Sequence, residues 1–165
     1  MNIDLIVDLP THSQGGFTVK ITQISVAIED SPGKLYEVTK ALGEAGVNIR
    51  ALNLVETVDF GTVRMIVSDV ATSQRVLKEM QVPVHLDEVI AVVLEDKPGS
   101  LADFLKIIYD AKISVDHVYA IIGSTSGKAI MLFHFDDNDR AIELILEQGF
   151  TLLTSKDLRI YQPTG

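Results

Sequence analysis

The chain has 165 residues, 47 % of them hydrophobic, and a net charge of −9 from fourteen basic and twenty-three acidic side chains. That much apolar material argues for a packed core and against disorder, and the acidic balance, with no Lys/Arg run, argues against nucleic acid or an anionic membrane as a partner. There is no cysteine, which excludes disulfides, thiol catalysis and cysteine-based zinc sites.

The N-terminus, MNIDLIVDLP, lacks the basic start of a secretory signal. No apolar run approaches the roughly 18 residues of a membrane span, so a soluble, cytoplasmic protein is expected. Within residues 1–20, LIVDL reads as a short added strand and THSQGG as loop, together an N-terminal extension. ITQISVAIE then alternates Ile24, Val26 and Ile28 against Gln23, Ser25 and Ala27, the period of a strand. Ser31-Pro32-Gly33 predicts a helix start, with Ser31 as cap and Pro32 at the first helical position. Leu35, Val38, Leu42 and Ala45 come next at helical spacing, and Gly46 predicts the stop. VNIRALNLVET and GTVRMIVS read as two strands joined by a turn near Asp59-Phe60-Gly61. A short helix over about Thr72 to Met80 and a strand at VPVHL close the unit.

The pattern then recurs. Glu29, Asp30, Pro32, Gly33 and Leu35 fall on Glu95, Asp96, Pro98, Gly99 and Leu101 at an offset of sixty-six. At the same offset Val47-Asn48-Ile49 falls on Ile113-Ser114-Val115, Gly61 on Gly127 and Met65 on Met131. EVIAVVLE is a strand, and Leu101, Phe104, Leu105 and Ile108 line one helix face. ISVDHVYAII and KAIMLFHF are paired strands around GSTSG, DDNDRAIELILEQ is a helix with an acidic first turn, and a last strand ends near Tyr161. The order is β-α-β-β-α-β, twice. The expected fold class is α+β, with two ferredoxin-like domains at 21–86 and 87–162. In each, two helices cover one face of a four-stranded antiparallel sheet. IAVVL and AIMLF are apolar on both faces, so the second sheet is expected to be covered on both sides.

Catalytic motifs are weak. GSTSG has Thr125 at its centre and joins two strands, so it reads as a hairpin turn rather than a nucleophile elbow. SGKA lacks the spacing of a phosphate loop. Of His12, His85, His117 and His134, none forms an H-x-x-x-H pair; His117 and His134 flank one hairpin and could approach across it. Asp136-Asp137-Asn138-Asp139 lacks a calcium-loop glycine and reads as a capped helix start. No catalytic residue, metal or cofactor is expected.

EDSPGKL, the helix ending EAG and the adjoining VNIRAL resemble the ACT domain, as do EDKPGSL and AKISV in the second copy. The resemblance covers about residues 21 to 161. It implies a stand-alone tandem ACT protein: a non-catalytic regulator that binds a small amino acid at ACT domain interfaces and pairs as a homodimer. For the site it implies Asp30, Ser31, Pro32, Gly33, Lys34 and Leu35 of the first turn, with Asn48 and Ile49 of the neighbouring strand. From the second copy it implies Asp96, Gly99, Ser100, Leu101, Ser114 and Val115. Amides from Gly33 to Leu35 would receive a ligand carboxylate at the positive helix end. Asn48 matches the asparagine that contacts ligand in serine-sensing members, and Asp30 would hold the ammonium. Lys97 for Ser31 and Ser114 for Asn48 make the two sites unequal. The alternative is a docking subunit of an amino-acid biosynthetic enzyme such as acetolactate synthase, acting through protein contact.

Overall fold

A computed structural model describes residues 18–29, 31–56, 60–121 and 127–160. Residues 1–17 of the expected extension, Asp30, the tip of the first hairpin at 57–59, the GSTSG turn through residue 126 and the chain end from Tyr161 lie outside them. The elements are β1 (Lys20–Glu29), α1 (Lys34–Glu44), β2 (Ile49–Glu56), β3 (Phe60–Val67), α2 (Val70–Glu79), β4 (Val84–Glu95), α3 (Ser100–Asp110), β5 (Val115–Ala120), β6 (Lys128–Phe135), α4 (Asn138–Glu147) and β7 (Thr151–Leu153). None of the described helices is long and apolar enough to cross a membrane. The fold is α+β, a tandem of ferredoxin-like units.

The first compact unit holds Thr22–Asp87. Its strand order is β2-β3-β1-β4, the split β-α-β arrangement. Period-two alternation buries Ile24, Val26 and Ile28 of β1 and Val63 and Met65 of β3. Helical spacing buries Val38 and Leu42 of α1, which packs against α2 with its buried Val76 and Leu77. Gln23, on the polar side of the alternation in β1, is fully buried. Its amide reaches the Ser25 hydroxyl, which donates to Asp87 at 3.1 Å, so the polar group is satisfied.

The second unit holds Glu88–Leu158 and the chain's approach to Ile21. Here β4 pairs with β6 and β7, and β6 with β5, all antiparallel. One core gathers Ile90, Val92 and Leu94 of β4, Phe104 and Ile108 of α3, and Phe133 and Phe135 of β6. On the opposite face of β4, Ala91 and Val93 are also buried, as the two-sided apolar run requires. Val19 packs on this core, and Lys20 pairs with Glu88 at 3.2 Å and Asp139 at 2.8 Å. Leu101, expected on the buried face of α3, is instead 38 % exposed in the first helical turn, and the buried face begins at Phe104.

Three boundaries differ from the sequence expectation. VPVHL and EVIAVVLE form one strand, β4, because nothing in His85-Leu86-Asp87-Glu88 breaks an extended backbone. The helix expected from Thr72 starts two residues earlier, where Asp69 caps it by accepting from the Thr72 amide at 2.9 Å. The last strand stops at Leu153 rather than near Tyr161. There the Asp157 carboxylate accepts from both the amide and the hydroxyl of Thr154 at 2.7 Å and turns the chain.

Phe104 is fully buried, with ring centroids 4.9 Å from Phe133 and 5.2 Å from Phe150. Phe104→Ala is expected to cost about 3–5 kcal/mol, read as a shift in the denaturant midpoint. The Thr72 amide and then its hydroxyl hold the Asp69 carboxyl below its usual value of 3.8. A depressed folded pKa means that this stabilisation is full above that value and is lost as pH falls through the lower folded one. Asparagine caps without titrating, so Asp69→Asn should flatten the acid limb of a stability-against-pH curve below about pH 4 and leave the neutral limb parallel to wild type.

Candidate functional site

The repeated phrase makes the same turn in both units. In the first, the Ser31 amide donates to the Glu29 carbonyl at 2.8 Å and the Lys34 amide to the Ser31 carbonyl at 3.3 Å. Gly33 is the true N-cap, at φ 96°, and its carbonyl accepts from the Glu37 amide at 2.9 Å. In the second, Lys97, Ser100, Gly99 and Asp103 repeat those bonds at 3.0, 3.3 and 2.9 Å, with Gly99 at φ 88°. The turn survives the exchange of Ser31 for Lys97 because the backbone makes it. Neither glycine carries a side-chain cap. Ser31 is thus not the cap and Pro32 not the first helical residue; α1 starts at Lys34 because the left-handed residue ends the turn there.

This geometry decides which amides stay available. Lys34 spends its amide inside the turn, so Gly33, Leu35 and Tyr36 have the amides without a backbone partner among the described residues. Nothing lies within 4 Å of where a Gly33 Cβ would stand. The Lys34 ammonium pairs with Glu37 at 3.0 Å, which raises its pKa, with Glu29 adding to the effect. A carboxylate approaching this turn therefore meets main-chain N–H groups.

Ser31, Gly33 and Leu35 line a cleft of ≈ 340 Å³ with Ile28, Glu29, Leu54 and Gly61. Lys34 faces a neighbouring cleft of ≈ 370 Å³ with Glu37 and Phe60. A cleft of ≈ 390 Å³ near Gln74, Lys78 and Gln81 contains none of the motif residues, so size alone does not identify a site. Pro32 is exposed at the turn. Asn48 and Ile49 do not line the motif cleft. Asn48 is held by its backbone, donating to the Ser68 hydroxyl at 2.9 Å and accepting from the Ser68 amide at 2.8 Å. Two residues on, a register shift brackets Arg50, whose Nε is buried without a hydrogen-bond partner among the described residues.

The second copy is built differently beyond its turn. The Asp96 amide donates to the Gly127 carbonyl at 3.0 Å, and the Ser114 amide to Asp136 at 3.0 Å. Register exposes an insertion that the even offset hid. Ile28 pairs with Gly61 but Leu94 with Ala129, and Glu29 with Phe60 but Glu95 with Lys128. The capping Asp69 and Asp137 are sixty-eight residues apart, not sixty-six. The second hairpin is therefore two residues longer, so Gly61 and Met65 do not correspond to Gly127 and Met131. In consequence Lys128 clamps Glu95 and lowers its pKa, whereas Glu29 has no ion-pair partner among the described residues. Val115 heads β5 on the far side of the sheet order from β4.

Ile28, Glu29, Leu54 and Gly61 are the cleft residues that sequence reasoning missed. Glu29 belongs to the repeated EDSPG phrase, but only the structure shows Phe60 rather than a lysine opposite it. The cross-strand approach of His117 and His134 is real: they are register partners with rings stacked at 5.0 Å. His134 also bonds Asp116 at 2.9 Å, and among the described residues no group of three or more acids and histidines is placed to hold a metal.

A family model described as an ACT domain pair matches residues 19–161. The aspartokinase of Corynebacterium glutamicum is 27 % identical over 156 residues, covering 85 % of this chain and 36 % of the enzyme. That of Corynebacterium efficiens is 26 % identical over the same shares. The chain thus spans little more than a third of these curated relatives. A solved protein of Bacteroides thetaiotaomicron superposes with TM-score 0.79 at 28 % identity, over 86 % of this chain and 96 % of that one. The regulatory subunit of aspartate kinase from Thermus thermophilus shares the fold, with TM-score 0.58 at 12 % identity over 80 % and 94 % of the two chains.

A backbone-made turn separates two substitutions. Ser31→Ala should change stability by no more than about 0.5 kcal/mol. Gly33→Ala forces a left-handed alanine and should cost roughly 1–2 kcal/mol. Paired urea titrations check both, and equal losses would contradict the assignment of the cap.

Proposed function

The chain belongs to the ACT domain family as a domain pair, and we propose that it is a non-catalytic regulator that binds a small amino acid at the first unit's turn. The observation that carries this reading is the turn itself: Gly33, with open space where a side chain would stand, and Leu35 at the helix start line a cleft that also contains Glu29, a carboxylate with no ion-pair partner among the described residues. An amino acid is a zwitterion, and these groups are its complement. Main-chain donors at a positive helix end receive the carboxylate, and Glu29, with Asp30 beside it in sequence, receives the ammonium. Asn48, just before β2 and outside this cleft, acts in this proposal where a second copy brings it to the ligand. The second site, with Glu95 already neutralised by Lys128, is the weaker one.

Regulation needs the ligand to prefer one arrangement of the protein over another. In this proposal a second copy of the chain completes the site, and the bound amino acid shifts how the copies associate. A docking role on an enzyme of amino-acid biosynthesis is the second reading. It is favoured by the exposed Leu54, Val55 and Phe60 at 47, 40 and 53 %, and by similarity to a regulatory subunit of aspartate kinase.

A thermal-unfolding screen against the twenty amino acids separates the readings. A ligand at 100 times its Kd should add about 2.7 kcal/mol of stability, and Asn48→Ala and Asp30→Ala should reduce that gain. No shift with any amino acid would falsify the binding role and leave docking.

A further inference from the structure

We infer that the ≈ 340 Å³ cleft selects an amino acid with an uncharged aliphatic side chain, and that Gly61 sets the room for it. The inference rests on the binding role proposed above and names the class of ligand.

The walls of the cleft away from the turn are Ile28, Leu35 and Leu54. A charged ligand side chain laid there would lose water and gain no partner. Lys34 is engaged with Glu37 and lines the neighbouring cleft, which shares Ile28 and Glu29 with this one. Glu29, the charged group lining this cleft, suits the ammonium that every amino acid carries. Within this chain Ile28, Leu35 and Leu54 supply the apolar surface a ligand side chain would meet, and Ser31 is the one uncharged polar side chain among the described lining residues.

Gly61 is not a backbone requirement. It lies within β3, is absent from the residues with positive φ, and pairs in register with Ile28. It supplies space instead. A Cβ there would stand 3.1 Å from Leu54 Cδ1, tighter than ordinary contact, and 3.4 Å from Ile28 Cγ1. Leu54 is 47 % exposed, so it would yield by moving its side chain over the cleft. The equivalent register position in the second unit is Ala129, and its neighbouring carboxylate is clamped. The second unit has thus lost both features together.

Isothermal titration of the full chain with leucine, isoleucine, valine and methionine, against aspartate, glutamate, lysine and arginine, tests this. The aliphatic set should bind at least about tenfold more tightly than the charged set. Glu29→Gln should weaken leucine at least about tenfold through the lost charge-assisted bond. Gly61→Ala should weaken the branched ligands more than alanine. Glu29 is exposed, so the unliganded unfolding midpoint of Glu29→Gln should match wild type and keep the test independent of folding. Charged amino acids binding as tightly as leucine would overturn the class while leaving the binding role intact. So would insensitivity to both variants while Gly33→Ala still weakens binding. Silence from all eight ligands in titration, with a shift from some other amino acid in the thermal screen, would also overturn the class alone; silence in both would overturn the binding role as well.

Discussion

Each unit turns on one backbone constraint, the left-handed glycine between the first strand and the first helix. At Gly33 and Gly99 the chain must reverse within three residues and then enter a helix, and positive φ is the conformation that lets it. The turn closes on its own carbonyls, so no side chain is needed to cap it. That is why serine and lysine serve equally at the preceding position. It is also why the helix end stays open: a side-chain cap would occupy the N–H groups that the turn leaves facing outward.

The chemistry available to an open helix end depends on its surroundings, and there the two units diverge. Two extra residues in the second hairpin move Lys128 opposite Glu95 and Ala129 opposite Leu94. The first unit sets Phe60 and Gly61 in those places. A cross-strand ion pair at an exposed edge adds little stability, but it removes a carboxylate from other use. The same fold therefore carries one turn whose acid has no ion-pair partner among the described residues, beside a cleft lined by Gly61, and one turn whose acid is paired with Lys128. Duplication followed by a change in hairpin length is enough to make twin units chemically unequal, whatever residues the motif itself retains.

The aspartokinase relatives bear on this difference. The matched region is a minor part of those enzymes, and the structural neighbour described as a regulatory subunit is matched along almost its whole length. A domain pair of this size can stand beside an enzyme or be covalently part of one. Under the proposed role the ligand acts through association in either case, because it can shift only an equilibrium whose two states it contacts differently.

Much of the fold was legible in the residues, and the limit of legibility has a physical cause. Period-two and period-3.6 apolar spacing established the α+β class, the repeat and the buried residues of β1 and α1, because local backbone geometry determines which side chains share a face. The glycine that stops α1 was readable for the same reason: Gly46 takes φ 77° as a helix terminator does. Ser31 as cap was misread because propensity ranks side chains and cannot see a turn that closes through main-chain bonds. The two-residue insertion was invisible because matching letters, Gly61 with Gly127 and Met65 with Met131, imitated the wrong alignment. Strand register alone shows which residues stand opposite one another. Pairing across strands clamped Glu95 against Lys128, thirty-three positions on, set Phe60 opposite Glu29 and brought Leu54 beside Gly61.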